Sequence, residues 1–208
     1  MAGSYDFEEQ ERIAELKAWW EDNRWFVFGA IVAAVLAFVG FRGWQYWTAS
    51  QADDAAAMYV AATKAAAPER AAAVDALVAK HPGSYYASEG QLVVAKERFD
   101  AGDLAGAEKR LEWVMAKGVD EHRGVARLRL ASVLLEEKKY AEALKVLDDN
   151  KDEAFVALAA DLRGDIMLAQ GRIDEARAAY KTASEKAEAR NPVKQIAETK
   201  LNALGGAQ

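Results

Sequence analysis

Residues 104–114 read Leu-Ala-Gly-Ala-Glu-Lys-Arg-Leu-Glu-Trp-Val, and this stretch decides the fold. Its residues Leu104, Ala107, Leu111 and Val114 stand at offsets 0, 3, 7 and 10, which places them on one face of an α-helix. The pattern returns twice. Tyr140, Ala143, Leu147 and Asn150 repeat it with a polar fourth position, and Ile173, Ala176, Tyr180 and Ala183 repeat it again. The three alanines are 36 and 33 residues apart, and each follows a helix-breaking or charged turn. An alanine where two helices cross lets them approach closely, while the large residues around it fill the groove between them.

The recurrence is close to the tetratricopeptide period of about 34 residues, in which each repeat is a pair of antiparallel helices. The first helix of each pair fits as well, with Val94-Ala95, Leu130-Ala131 and Arg163-Gly164 at the paired large and small places. Arg163 departs from that pattern. Beyond residue 50 the chain is dominated by Ala, Leu, Glu and Lys, all good helix formers, and no strand pattern competes. Breaks fall near Ala67-Pro68, His81-Pro82-Gly83, Ala101-Gly102, Lys117-Gly118, Glu136 to Lys139, Asp148 to Asp152, Gln170-Gly171 and Asn191-Pro192. Residues 53–80 read as a degenerate leading pair, with Met58 and Tyr59 on one helix and Val74, Leu77 and Val78 on the next. After Asn191-Pro192, the residues Val193, Ile196, Ala197, Leu201 and Leu204 predict a capping helix with a polar outer face, as an open-ended array requires. A generic bundle of amphipathic helices is the competing description, because alanine-rich helices mimic repeats.

The region before the array is of a different kind. Trp25 to Phe41 holds 17 consecutive uncharged residues, and Arg42-Gly43 then leads into Trp44-Gln45-Tyr46-Trp47. As a helix, residues 25–47 reach about 35 Å, enough for a hydrocarbon core of about 30 Å. Trp19, Trp20 and Trp25 at one end and Trp44, Tyr46 and Trp47 at the other form the aromatic belts expected where a span meets the lipid headgroups, and Arg42 can snorkel outward. A buried core helix is usually shorter and lacks paired aromatic girdles. Ser50-Gln51-Ala52 has the small residues of a signal-peptide cleavage site, but the tail before the span is long and acid-rich and bulky aromatics crowd the site. The expectation is a retained signal anchor. Arg12, Lys17 and Arg24 precede the span, whereas after Arg42 the next basic residue is Lys64, which favours a cytoplasmic N-terminus. Within Phe7 to Asn23, the residues Ile13, Leu16 and Trp20 predict a short amphipathic helix; a partly disordered acidic tail is the alternative.

The expected fold is therefore all-α: a single N-terminal transmembrane helix, a tetratricopeptide-like array of helical hairpins, and a C-terminal capping helix. The expected divisions are a tail over 1–24, the span over 25–47, the array over 48–190, and the cap and tail over 191–208.

Chemistry is sparse. The chain has no cysteine, which excludes disulfides, thiolate zinc sites and thiol nucleophiles. From residue 48 onward 23 basic and 26 acidic residues are interspersed, so there is no electrostatic case for nucleic acid. His81 and His122 read as surface turn residues, neither arranged as a metal ligand. Asp148 to Glu153 resembles a calcium loop, but Glu153 stands where the loop needs glycine and Ala159 where it needs glutamate. It reads as a solvated turn. No phosphate-binding or nucleophile-elbow motif occurs, and neither enzyme activity nor a cofactor is expected. What remains is protein binding along the concave face lined by first helices, with Leu92, Lys96, Phe99, Leu128, Ser132, Leu135, Leu158, Asp161, Asp165 and Leu168 as candidate contacts.

Taken together, the acidic tail with Arg12, Lys17, Trp19 and Trp20, the single span, the exit segment Gly43-Trp44-Gln45-Tyr46-Trp47 and the alanine-rich repeats resemble the YfgM family, the ancillary subunit of the bacterial Sec translocon. The resemblance covers essentially the full chain. It implies a single-pass protein of a Gram-negative inner membrane with its repeats in the periplasm. Its implied partners are the lipid bilayer, the SecYEG translocon, a membrane-anchored parvulin-like periplasmic chaperone and translocated client proteins. Two other classes remain open: an envelope scaffold for cell division or cell-wall assembly, and a cytosol-facing import receptor.

Overall fold

A computed structural model describes residues 3–150, 152–188 and 190–205, with side chains from residue 9 onward. Residues 1–2, Lys151, Ala189 and 206–208 lie outside the described residues, and with them the ends of the two expected tails and the Phe7 side chain. No strand occurs among the described residues. The chain divides into two compact units, Met1–Gln51 and Ala52–Gln208.

The described part of the first unit belongs to one helix, α1 (Gly3–Lys64), which carries both the expected amphipathic tail and the apolar run. This helix is long and apolar enough to cross a membrane, and none of its apolar stretch is covered by protein. Trp25, Phe26, Leu36, Phe38 and Tyr46 are among its exposed large side chains. A continuous apolar surface of this extent is unfavourable in water, while a helix satisfies its own backbone hydrogen bonds in lipid. Rings pack at both ends, Trp20 against Phe28 with centroids 5.8 Å apart and Phe41 against Trp44 at 6.2 Å.

The second unit is built from hairpins. The last turns of α1 pair with α2 (Ala67–Lys80), followed by α3 (Tyr85–Asp100) with α4 (Leu104–Lys117), α5 (Asp120–Glu136) with α6 (Tyr140–Asp148), and α7 (Val156–Ala169) with α8 (Ile173–Lys186). A 3-10 turn, Glu153–Phe155, precedes α7, and α9 (Pro192–Ala203) closes the array. Caps fix several starts: Ser84, Asp103 and Asn191 accept from the backbone N–H of Ala87, Gly106 and Val193 at 3.0, 2.9 and 3.0 Å. In the leading pair, Met58 and Tyr59 pack with Ala55, Leu77 and Val78, while Ala62 meets Val74. Arg70 holds the α1 end by donating to the carbonyls of Ala62 and Ala65 at 3.3 and 2.8 Å.

Ala107, Ala143 and Ala176 are all fully buried, as the crossing role demands. Leu111, Leu147 and Tyr180, four residues further along each second helix, are buried beside them. The middle hairpins share one core, in which Leu92, Leu111, Val114, Leu130, Val133, Leu134, Leu147 and Ile166 meet across five helices. Burying each such large side chain is worth about 1.5–3 kcal/mol, against about 0–1 kcal/mol for an exposed ion pair, so apolar packing holds the hairpins together.

The large-and-small pair of α7 departs from the repeat pattern for a visible reason. A Cβ on Gly164 would fall 2.3 Å from the Tyr180 ring, so the tyrosine occupies the space where other repeats keep an alanine methyl. Arg163 lies at the surface and donates to Asp148 at 2.5 Å, tying α7 to the end of α6.

The turns inside the three hairpins are also equivalent. Gly102, Lys138 and Gly171 take φ of +78°, +61° and +75°. The N–H of the next residue then reaches back to the carbonyls of Arg98, Leu134 and Met167 at 2.8, 2.8 and 2.9 Å, a Schellman closure. Of these three residues, Lys138 adopts the left-handed conformation with a side chain.

At the C-terminal end, Val193 and Ala197 of α9 are buried, and Leu201 and Leu204 pack on the cluster of Met167, Ala176 and Tyr180. Ile196, expected on that apolar face, is 49% exposed because it projects from the outer side of α9. Lys200 donates to Asp161 and to both oxygens of Asp165, each at 2.8 Å, and the Tyr180 hydroxyl donates to Asp165 at 2.8 Å. Burial pushes the Tyr180 hydroxyl up from its ordinary value, helped by its bond to Asp165. Burial works to lower the Lys200 ammonium, but its bonds to Asp161 and Asp165 outweigh that and hold it raised.

Three outcomes are expected of the full-length protein in detergent micelles. Ala143→Leu overfills a fully buried crossing and lowers stability by about 1–3 kcal/mol in thermal melts; no loss would contradict the repeat register. Lys138→Gly relieves the left-handed backbone and raises stability by about 0.5–1 kcal/mol, with an unchanged or lower midpoint counting against the strain. Tyr180 and Lys200 both hold their protons more tightly when folded. Their contribution is therefore full below the unfolded values of 10.0 and 10.5 and is lost as pH rises through the folded ones. Denaturant midpoints should fall above pH 10, and less steeply in Tyr180→Phe than in the parent; equal slopes would remove Tyr180 from this linkage.

Candidate protein-binding surface

The first helices α3, α5 and α7 carry the residues expected to form a groove, and the structure brings only some of them together. Lys96, Phe99 and Ser132 converge on one open pocket between α3 and α5, of about 290 Å³. Leu128 and Leu135 flank Ser132 along α5 and pack partly against the shared core. Leu158 and Leu168 lie on α7 with 40% and 39% of their surface exposed.

Leu92 belongs elsewhere. It is 3% exposed and sits inside the shared core, because its position on α3 faces the crossing with α4 and α5 instead of solvent. Asp161 and Asp165 are engaged by Lys200, so α9 covers that end of α7. Burial pushes the Asp161 carboxyl up, opposed by Lys200. That carboxylate serves to seat the capping helix.

The pocket has members that the repeat reading missed. Ala95, Leu111 and Val133 form its apolar floor, and Asp100 and Arg129 stand at its edge. Arg129 was recoverable from sequence, since Val93 and Leu162 occupy its equivalent places in the neighbouring first helices and it interrupts an otherwise apolar column. Its Nη1 donates to the Leu92 carbonyl at 3.0 Å, and Ser132 Oγ donates to the Leu128 carbonyl at 3.2 Å. Lys96 and Asp100 pair with each other at 2.5 Å.

Both histidines differ from the expected surface turn residues. His81 is 8% exposed, with Nε2 2.5 Å from an Asp54 carboxylate oxygen that also receives Lys80 at 2.7 Å. Hydrogen bonds from Lys80 and then His81 hold the Asp54 carboxyl below its ordinary value. His122 is 6% exposed, 3.3 Å from Glu89, with its ring against Tyr85 at a centroid distance of 4.4 Å. Each imidazole closes a helix junction against a carboxylate from an earlier helix, a long-range pairing that local sequence does not display.

Among the described residues, no group of three or more His, Asp or Glu could hold a metal ion. In the calcium-like turn, Asp148 is spent on Arg163, Asn150 donates to the Gly124 carbonyl at 3.4 Å, and Asp152 accepts from Ala154 at 3.0 Å. The aromatics expected at the membrane interface, Trp19, Trp20, Trp25, Trp44, Tyr46 and Trp47, are all exposed on α1.

The sequence is similar to known proteins along almost its whole length. Residues 17–206 match the family described as tetratricopeptide repeat-like domain. The chain is similar to the ancillary SecYEG translocon subunit of Neisseria gonorrhoeae, at 32% identity over 203 residues, covering 95% of this chain and 97% of the relative. It is likewise similar to the proteins of the same name from Haemophilus influenzae, at 30% identity with 97% and 100% covered, and from Escherichia coli, at 29% with 94% and 96% covered. No solved structure matches. With a tetratricopeptide repeat-like domain and end-to-end likeness to these relatives, the chain belongs to the ancillary SecYEG translocon subunit family.

Proposed function

We propose that this protein is an ancillary subunit of the Sec translocon that binds other proteins through its helical array. Residues 25–47 anchor it in the bacterial inner membrane, with residues 1–24 in the cytoplasm and residues 48–208 in the periplasm. There the array contacts proteins leaving the SecYEG channel and cooperates with a membrane-anchored parvulin-like chaperone. The observation that carries this reading is the end-to-end likeness to relatives named ancillary SecYEG translocon subunits. The excess of Arg12, Lys17 and Arg24 on one side of the apolar run supports the orientation, and a cysteine-free chain has no thiol to protect in an oxidising compartment.

Two measurements test it. Alkaline phosphatase fused after Gln208 should be active in bacterial cells, and an inactive fusion overturns the topology. Photo-crosslinkers placed at Leu128 and Leu168 should capture a translocon component or the chaperone; capture of division or wall-assembly proteins alone would reject the function.

A further inference from the structure

We infer that the pocket between α3 and α5 recognises a large apolar side chain that has a carboxylate next to it in the bound segment. The inference deepens the protein-binding reading above and rests on it. The floor made by Ala95, Leu111 and Val133 is apolar and itself almost fully buried, and the half-buried Phe99 ring forms one wall. Such a floor accepts an aliphatic or aromatic side chain and gains nothing from a polar one.

The rim supplies the second half of the recognition. Lys96 and Asp100 neutralise each other across one helical turn. Arg129 faces them with no carboxylate partner among the described residues, leaving the rim with one uncompensated positive charge on a protein whose formal net charge is −6. The bond from Nη1 to the Leu92 carbonyl holds the guanidinium at the pocket edge and leaves its other donors unused by that contact. A guanidinium fixed in this way suits a carboxylate, which it can meet with two parallel hydrogen bonds. A lysine or arginine beside the apolar anchor would instead be repelled. The pocket therefore selects by charge among segments whose apolar residues are equally able to fill it.

Full-length protein in nanodiscs, titrated with fluorescein-labelled glycine-serine peptides, tests this. The peptides differ only at their centre: leucine-aspartate, leucine-asparagine, leucine-lysine or serine-aspartate. Leucine-aspartate should bind most tightly, about 5–10-fold better than leucine-asparagine, with leucine-lysine weaker still. Arg129→Gln should abolish the preference for aspartate over asparagine and leave the leucine requirement intact. Arg129→Lys should retain part of the preference, and Phe99→Ala should weaken every leucine peptide. Equal binding of leucine-aspartate and leucine-lysine, selectivity that survives Arg129→Gln, or no binding up to about 1 mM would each overturn the inference. Crosslinks from Leu128 or Leu168 to the translocon or its chaperone in the face of such a result would leave the proposed function standing, and only the pocket assignment would fall.

Discussion

Everything in the helical unit depends on how closely paired helices can approach. Ala107, Ala143 and Ala176 have no surface left to solvent, so each crossing is filled by a side chain no larger than a methyl group. Side chains four residues further on, Leu111, Leu147 and Tyr180, can then reach the opposite helix. A larger residue at any of the three crossings would separate the helices and open space around those neighbours, because interiors packed to crystal-like density do not deform smoothly. The Gly164 position shows the same constraint from the other side, with the Tyr180 ring lying where a methyl would be.

Charges do a different task at the seams. Arg110 of α4 reaches back to Asp75 of α2 and Gln91 of α3, Lys139 spans from the α5–α6 turn to Glu108 of α4, and Arg163 of α7 meets Asp148 of α6. These partly exposed pairs contribute little to cohesion, but each joins two elements at one relative position. In Lys139 the hydrogen bonds to Glu137 and then Glu108 hold the ammonium above its ordinary value.

Much of this was legible in the sequence because it is local. Helix breaks at prolines, glycines and charged turns, the alanine period, and the leading pair formed by Met58, Tyr59, Leu77 and Val78 all follow from spacing along the chain. What was not legible depends on residues distant in sequence. His81 and His122 look like turn residues until Asp54 and Glu89 arrive from other helices. Leu92 and Lys96 share one helix face, yet a difference of about 40° around the axis puts one in the core and the other at a pocket edge. Asp161 and Asp165 looked available for a partner because nothing nearby in sequence names Lys200, which stands 39 and 35 residues further on.

The seal at the C-terminal end also bears on how such a protein can change length. Lys200 needs two aspartates of α7, Arg177 of α8 donates to the Leu204 carbonyl, and Leu201 and Leu204 need the cluster around Tyr180, so the last hairpin and its cap form a matched set. A hairpin added after α8 would have to carry its own carboxylates for Lys200, and the original Asp161 would lose its ammonium partner. The same hairpin inserted between α6 and α7 would leave that set whole, with new joins needed only at repeat-like seams. The interior seams can thus take an added hairpin without disturbing the seal, whereas the end of the array cannot.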